Sequence, residues 1–304
     1  MKVSSNGKTQ SKCARLKALI YDPKILVVPG VFDGFSCRVV QAAGFEHAAI
    51  SGAGTSESRL GKPDVGIMGL EDNLAGARAM ASCVDIPLLA DGDTGYGNAI
   101  NVYYTVQAFE RAGVAGLMIE DQKWPKRCGH MAGKEVIEAD EMVQKVRAAV
   151  DARQDPDFVI IARTDANAVN GLEDALRRGR AYREAGADVI FIEAPRSIEE
   201  LQAIAQAFPN TPLLFNWAES GKTPLLTLNE IHTLGFKLVI FPVSLLFAAT
   251  RAMLSLLEVL KQGETPASFS SQTVTFSQFT QHIGLPEIQG LERRYGVNSP
   301  TVDR

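Results

Sequence analysis

Short apolar runs alternate with longer amphipathic stretches from about residue 25 to residue 262, the sequence form of repeated βα units. Eight units can be counted, with strands expected at 25–28, 47–50, 87–90, 116–119, 159–162, 189–192, 213–215 and 238–241. Each run is brief and buried in character, as strands covered on both faces are. Helical periodicity fills the intervals, for example at 99–112, 139–152, 172–185 and 228–234, and Gly113, Gly186 and Gly235 stand where a helix stop belongs. Eight equal units in this length fit a closed (β/α)8 TIM barrel, an α/β fold, better than an open doubly wound sheet. The pattern breaks after 262: a Pro- and Ser-containing linker at 264–272 precedes apolar helical pieces at 276–283 and 288–295. We therefore expect a catalytic barrel over 1–262 and a C-terminal helical extension over 263–304 that packs on the barrel or on a neighbouring subunit.

Barrel enzymes place their chemistry at the C-terminal ends of the strands. The residues there are, in order, Pro29-Gly30, Ser51-Gly52, Asp91 with Asp93, Glu120-Asp121, Arg163 with Asp165, Glu193, Asn216, and Pro242 with Ser244. Strands three to six thus end in carboxylate or guanidinium groups, more charge than loop solvation requires. Asp91-Gly92-Asp93 sets two carboxylates close together, with Glu120 able to join from the next strand, which suits a hard cation such as Mg²⁺ that keeps waters for a chelating substrate. The same DGDTGYGN stretch can also be read as Asp capping and turn formation. Ser51-Gly52-Ala53-Gly54 offers backbone N–H groups and a hydroxyl to a carboxylate or phosphate oxygen, or is a plain Ser/Gly turn. Arg163 is a fork for a substrate carboxylate or a partner for Glu193. Beyond the fourth strand, Lys126-Arg127-Cys128-Gly129-His130 brings a thiol, two cations and an imidazole together, a neighbourhood that favours thiolate. Gly95-Tyr96-Gly97 lacks the rest of a phosphate-loop fingerprint and reads as a tight turn. His47, His232 and His282 have no metal spacing and read as packing or surface residues, and Trp124 and Trp217 as core or lid anchors.

Composition narrows the partners. The chain has 304 residues, 46% hydrophobic and 22% charged, with net charge -4 and no basic block, which argues for a soluble globular protein and against nucleic acid. Cys13, Cys37, Cys83 and Cys128 form no CxxC pair, so reduced thiols and a cytoplasmic location are expected. The polar start has no apolar signal core, and the longest uncharged apolar stretch, 238–250, is broken by Pro242, so no membrane segment is expected.

Four segments, 91–98 (DGDTGYGN), 119–122 (IEDQ), 126–130 (KRCGH) and 162–165 (ARTD), closely resemble the isocitrate lyase/phosphoenolpyruvate mutase superfamily, and the likeness extends over about residues 15–295. Within it the chain is most similar to 2-methylisocitrate lyase, 2,3-dimethylmalate lyase and carboxyphosphonoenolpyruvate mutase members. The resemblance implies a barrel whose eighth helix is exchanged between subunits of a homotetramer, with Mg²⁺ (or Mn²⁺) at the mouth. It implies that Asp91 and Asp93 hold the metal directly or through water, with Asp64 and Glu120 in its outer sphere. Ser51, Gly52, Ala53 and Arg163 would bind the 2-oxo acid part of a di- or tricarboxylate, and Glu193 and Asn216 its other carboxylate or the metal's waters. Lys126, Cys128, Gly129 and His130 would lie on a mobile gating loop, with Cys128 as proton donor. A loop cysteine goes with lyases that cut a carbon–carbon bond in a 2-hydroxy dicarboxylate to give pyruvate and a carboxylic acid. Phosphonomutase and oxaloacetate hydrolase or decarboxylase are the alternatives in the same superfamily. Because Ser51-Gly52-Ala53-Gly54 differs from the triple-glycine version common in methylisocitrate lyases, a methylated malate is expected over a tricarboxylate.

Overall fold

The computed structural model describes residues 10–129, 131–219 and 221–297. Eight strands, β1 (Leu26–Val31), β2 (Ala48–Ile50), β3 (Leu88–Asp91), β4 (Gly116–Glu120), β5 (Val159–Thr164), β6 (Val189–Ile192), β7 (Leu214–Asn216) and β8 (Leu238–Phe241), run parallel in the order β6-β5-β4-β3-β2-β1-β8-β7. A parallel bridge between Ile190 and Leu213 joins the two ends of that order and closes the barrel. Around it lie α1 (Lys12–Tyr21), α2 (Gly34–Ala42), α3 (Gly52–Leu60), α4 (Leu70–Cys83), α5 (Ala99–Arg111), α6 (Ala139–Ala152), α7 (Ala166–Val169), α8 (Leu172–Glu184), α9 (Ile198–Ala207), α10 (Leu228–Leu234) and α11 (Ser244–Lys261). The eight expected strands are all present, and Gly113, Gly186 and Gly235 take the left-handed backbone that a helix stop needs (φ +92°, +108° and +102°).

The strands differ from the expected ones mainly at their C-terminal ends. β3, β4, β5 and β7 carry on to Asp91, Glu120, Thr164 and Asn216, where apolar patterning stops two residues or fewer earlier. The physical reason is that these polar side chains face the closed mouth and the backbone there still pairs in the ladder, as in Glu120 against Arg163. Gly30 is fixed by packing, since a Cβ there would come within 2.4 Å of the Pro242 carbonyl oxygen. The expected linker at 264–272 is in fact a 3₁₀ helix from Pro266 to Gln272. It leads to α12 (Phe276–His282) and α13 (Leu285–Tyr295), which return to α2 through Phe35 against Phe279 (5.4 Å between ring centroids) and an Arg38–Glu287 ion pair of 3.2 Å. α11 contains no buried residue; Phe247, Met253, Leu254, Leu257 and Leu260 are exposed along it. The four cysteines are free, and among the described residues no helix is long and apolar enough to cross a membrane.

His47, at the entrance of β2, is a packing residue: it is buried, and burial lowers its imidazole pKa to about 4. A depressed histidine pKa contributes stability above the unfolded value, near 6.5, that is lost as pH falls towards 4, about 3 kcal/mol over the window. In His47→Gln, the difference in unfolding free energy from wild type is expected to shift by that amount between pH 7 and pH 4. A difference that stays constant in denaturant titrations at both pH values would refute the assignment.

Candidate active site

The turn after β3 is built under strain. Asp93 and Tyr96 both adopt positive φ (+48° and +60°), a region costly for side chains other than glycine. What holds the turn is a set of directed hydrogen bonds: Gly92 N–H to Met118 O (2.8 Å), Glu120 N–H to Asp93 O (2.9 Å) and Asp93 N–H to Asp91 Oδ1 (3.0 Å). From α4, the Asn73 amide donates to Asp93 Oδ2 (3.2 Å) and to the Tyr96 hydroxyl (2.8 Å). The result is a fixed pair of carboxylates at the mouth, Asp91 on the cavity wall and Asp93 a layer behind it.

Charge around the pair is dense. The Lys126 ammonium, 4% exposed, lies between Asp64 Oδ2 (2.5 Å) and Asp93 Oδ1 (2.7 Å). Burial pushes the Asp93 carboxyl up to about 6; Lys126 pulls it back, while Asp91 and Asp64 add to the rise. Burial acts to discharge Lys126 too, yet four acidic neighbours outweigh it and hold its pKa well above the usual lysine value. On the adjacent strands the Arg163 guanidinium faces Asp165 (2.9 Å), Glu120 (3.2 Å) and Glu193 (3.4 Å) and sits 5.3 Å from the centre of the Phe191 ring. Glu120 is fully buried, its carboxyl is pushed well above the ordinary range by burial against the pull of Arg163, and its Oε1 has no hydrogen-bond partner.

A cavity of about 100 Å³ opens between these strand ends and the loop that follows β4. One wall is polar: Ser51, Gly52, Ala53, Asp64 and Asp91. Ser51 caps α3 by accepting from Gly54 N–H (3.0 Å), which leaves the first-turn N–H groups of Gly52 and Ala53 without an intrahelical partner. Gly52 has to be glycine, because a Cβ would come within 2.4 Å of Asp91 Oδ2. The far wall is apolar, with Phe191, Met118, Ile240 and Val243, and Lys126, Arg127, Cys128 and Gly129 form the roof. Asn216 lines the cavity and donates to Glu193 (3.3 Å), which is itself fully buried behind Arg163.

The structure therefore brings Ser51, Gly52, Ala53, Asp64, Asp91, Lys126, Cys128, Gly129, Arg163 and Asn216 to one cavity and sets Asp93, Glu120 and Glu193 directly behind its wall. His130 lies outside the described residues. Sequence reading assigned no role to Lys134, Asn73, Gln122 or Asp165, although all four hold the site in shape. Asp165 stood at a strand end and was open to notice; Lys134 and Asn73 carry no local signal, since their partners are 31 and 20 residues away.

Among the described residues no three His, Cys, Asp or Glu side chains converge as a ready-made ion cage. That is compatible with Mg²⁺, which takes one or two carboxylates and fills its other positions with water and substrate oxygen. Asp91 and Asp93 are hard oxygen donors, and the partnerless Glu120 Oε1 is an acceptor for a water beyond them, so the residues present fit the ion.

A closed barrel with its charged residues, apolar wall and loop roof gathered at the C-terminal ends of the strands has the site of an enzyme acting on a small anionic substrate. The family model described as phosphoenolpyruvate phosphomutase matches residues 16–261. The chain belongs to that family, and it is an enzyme of the carbon–carbon lyase type. It is 44% identical over 284 residues to a 2,3-dimethylmalate lyase of Eubacterium barkeri, covering 93% of this chain and 98% of that one. Among solved structures it is similar to an oxaloacetate acetylhydrolase bound to the inhibitor 3,3-difluorooxalacetate, with TM-score 0.89, 38% identity and 95% and 99% of the two chains covered. It is also similar to a phosphonopyruvate hydrolase in complex with oxalate and Mg²⁺, with TM-score 0.85, 31% identity and 94% and 99% covered.

Proposed function

We propose that this protein is a Mg²⁺-dependent lyase that cleaves an alkyl-substituted 2-hydroxy dicarboxylate of the 2,3-dimethylmalate type into pyruvate and a short carboxylic acid. The observation that carries it is the two-sided cavity: anion-binding groups on one wall and an apolar face of Phe191, Met118, Ile240 and Val243 on the other. A tricarboxylate would press its third charge against that face, whereas methyl groups gain from it, on the order of 1–3 kcal/mol for each well-fitted group.

Ser51, the N–H groups of Gly52 and Ala53, and Arg163, held by Asp165 and Glu193, bind the 2-oxo acid part with its carboxylate next to the 2-hydroxyl, and Asn216 meets the second carboxylate. Mg²⁺ held by Asp91 and Asp93 would supply positive charge beside the 2-oxygen. The 2-hydroxyl gives its proton to water before the roof closes, and the C2–C3 bond then breaks: its electron pair leaves with C3, C2 becomes the carbonyl of pyruvate, and C3 takes a proton, so that none is gained or lost overall. Cys128, which lines the roof of the cavity, gives that proton. With the loop down, water is kept from the C3 carbanion. Residues 1–262 carry this chemistry in the cytoplasm. The C-terminal segment 263–304 and the apolar face of α11 serve assembly with further copies of the chain, up to a homotetramer, because so much exposed leucine, methionine and phenylalanine on one helix exceeds what a monomer leaves in water.

The test is 2-oxo acid release from 2,3-dimethylmalate, other alkylmalates, 2-methylisocitrate and oxaloacetate, with Mg²⁺ and with chelator. Mg²⁺-dependent pyruvate from an alkylmalate, at kcat/KM at least about tenfold above 2-methylisocitrate, is the expected result. Oxalate from oxaloacetate as the main product, or no 2-oxo acid from any of them, would overturn the proposal.

A further inference from the structure

The roof of the cavity is one arc of a longer loop that joins β4 to α6. The base of the loop is pinned by an antiparallel bridge between Gln122 and Val136, by Lys123 N–H to Glu135 O (2.9 Å) and by Ile137 N–H to Asp121 O (2.9 Å). Above the base, the Gln122 amide clasps the backbone of Arg127 in both directions, at 2.8 and 2.9 Å. Lys126 to Gly129 roof the cavity, and under the proposed function this arc lifts to admit substrate and returns in each turnover.

Lys134 does not line the cavity, yet its side chain is only 2% exposed. Its ammonium donates to the Gly129 carbonyl oxygen (2.5 Å) and to Asp165 Oδ1 (2.6 Å). The same Oδ1 accepts from a terminal guanidinium nitrogen of Arg163 (3.0 Å), and Oδ2 accepts from Arg163 Nε (2.9 Å). Burial alone would raise the Asp165 carboxyl; Arg163 and Lys134 together overcome it and hold its pKa below the usual value. Gly129 is pressed onto the same group, since a Cβ there would come within 2.7 Å of the Arg163 guanidinium and 2.6 Å of the Glu193 carboxyl. One buried carboxylate thus joins a cation from the loop to a cation from the barrel wall.

We propose that Lys134 is the latch of the roof, a positioning residue that holds the Lys126–Gly129 arc down through the Gly129 carbonyl and, by sharing Asp165, sets the orientation of the Arg163 guanidinium when the roof is closed. The inference rests on the reading that the cavity beneath is the reaction site. Charge-assisted bonds in a water-poor setting are strong enough for the task, and both are broken when the arc lifts.

The test compares Lys134→Met, which keeps the buried stem without the charge, with Lys134→Arg, which keeps a cation. Hydrogen exchange at the amides of Arg127, Cys128 and Met131, all hydrogen-bonded in the closed loop, reports lifting directly. In the Met variant they are expected to exchange about 10- to 100-fold faster, with the β4 and β5 amides unchanged and the Arg variant within a few-fold of wild type. Unchanged exchange in the loop, or a rise spread equally over the barrel, would overturn the latch. With whichever acid the wild type cleaves, kcat in the Met variant should fall at least about tenfold and recover with Arg. A wild type that turns over none of the acids sinks the lyase reading alone, because the exchange measurement still decides the latch.

Discussion

Cys128→Ser is expected to lower kcat by about 10²- to 10⁴-fold while KM changes by no more than a few-fold. The hydroxyl has nearly the volume of the thiol, so the roof still closes, with the Cys128 N–H on the Asp64 carbonyl oxygen at 3.2 Å and Lys126 on Asp64 and Asp93. What changes is acidity: a thiol is by nature much more acidic than an alcohol and gives its proton to a developing carbanion far more readily. The effect therefore falls on the chemical step and spares ground-state binding. Steady-state pyruvate release gives kcat and KM, and calorimetry with oxalate checks that the closed cavity still binds an anion. A serine variant with an unaltered rate would place the proton donor elsewhere in the roof or in solvent.

Asp93→Asn has the second large effect. The amide keeps the size of the side chain and its contact with Asn73, and Lys126 keeps Asp64 as a partner at 2.5 Å. One of the two carboxylates that would hold Mg²⁺ is lost, so stimulation by the metal should disappear and kcat/KM should fall on the order of 10³-fold. Stability should move the other way. The Asp93 carboxyl titrates near 6 in the fold against a usual value near 3.8, so its stabilising contribution is present below about pH 3.8 and lost as pH rises through 6. At pH 7 the ionised group opposes folding, and the metal-free Asn variant should unfold at a temperature no lower than wild type. Calorimetric Mg²⁺ titration and thermal unfolding of the metal-free protein make the check; Mg²⁺-stimulated turnover that survives in the variant would remove Asp93 from the metal site.

The fold was legible because each strand is a short run buried on both faces between helices, several of which end in glycine, and a closed barrel is the one arrangement that uses eight of them alike. Strand ends were misjudged because hydropathy stops where the polar mouth begins, at Asp91, Glu120 and Asn216, although the ladder does not. The site was legible for a related reason: charge repeated at successive strand ends has to converge in a barrel. Lys134 was not, because a lysine in a polar loop reads as a solvated residue until the loop folds back and buries it on Asp165. The partnership of Lys126 with Asp64 and Asp93 was hidden likewise, since those acids lie 62 and 33 positions earlier in the chain.

The apolar face of α11 has a consequence for how the protein behaves on dilution. Pro242 and Val243, which lead into α11, are also part of the cavity wall. In the proposed assembly, where further copies of the chain would cover that helix, the energy of association would also be energy that fixes this stretch of wall. Melting temperature and substrate affinity then both become functions of protein concentration, and fall together as the assembly comes apart.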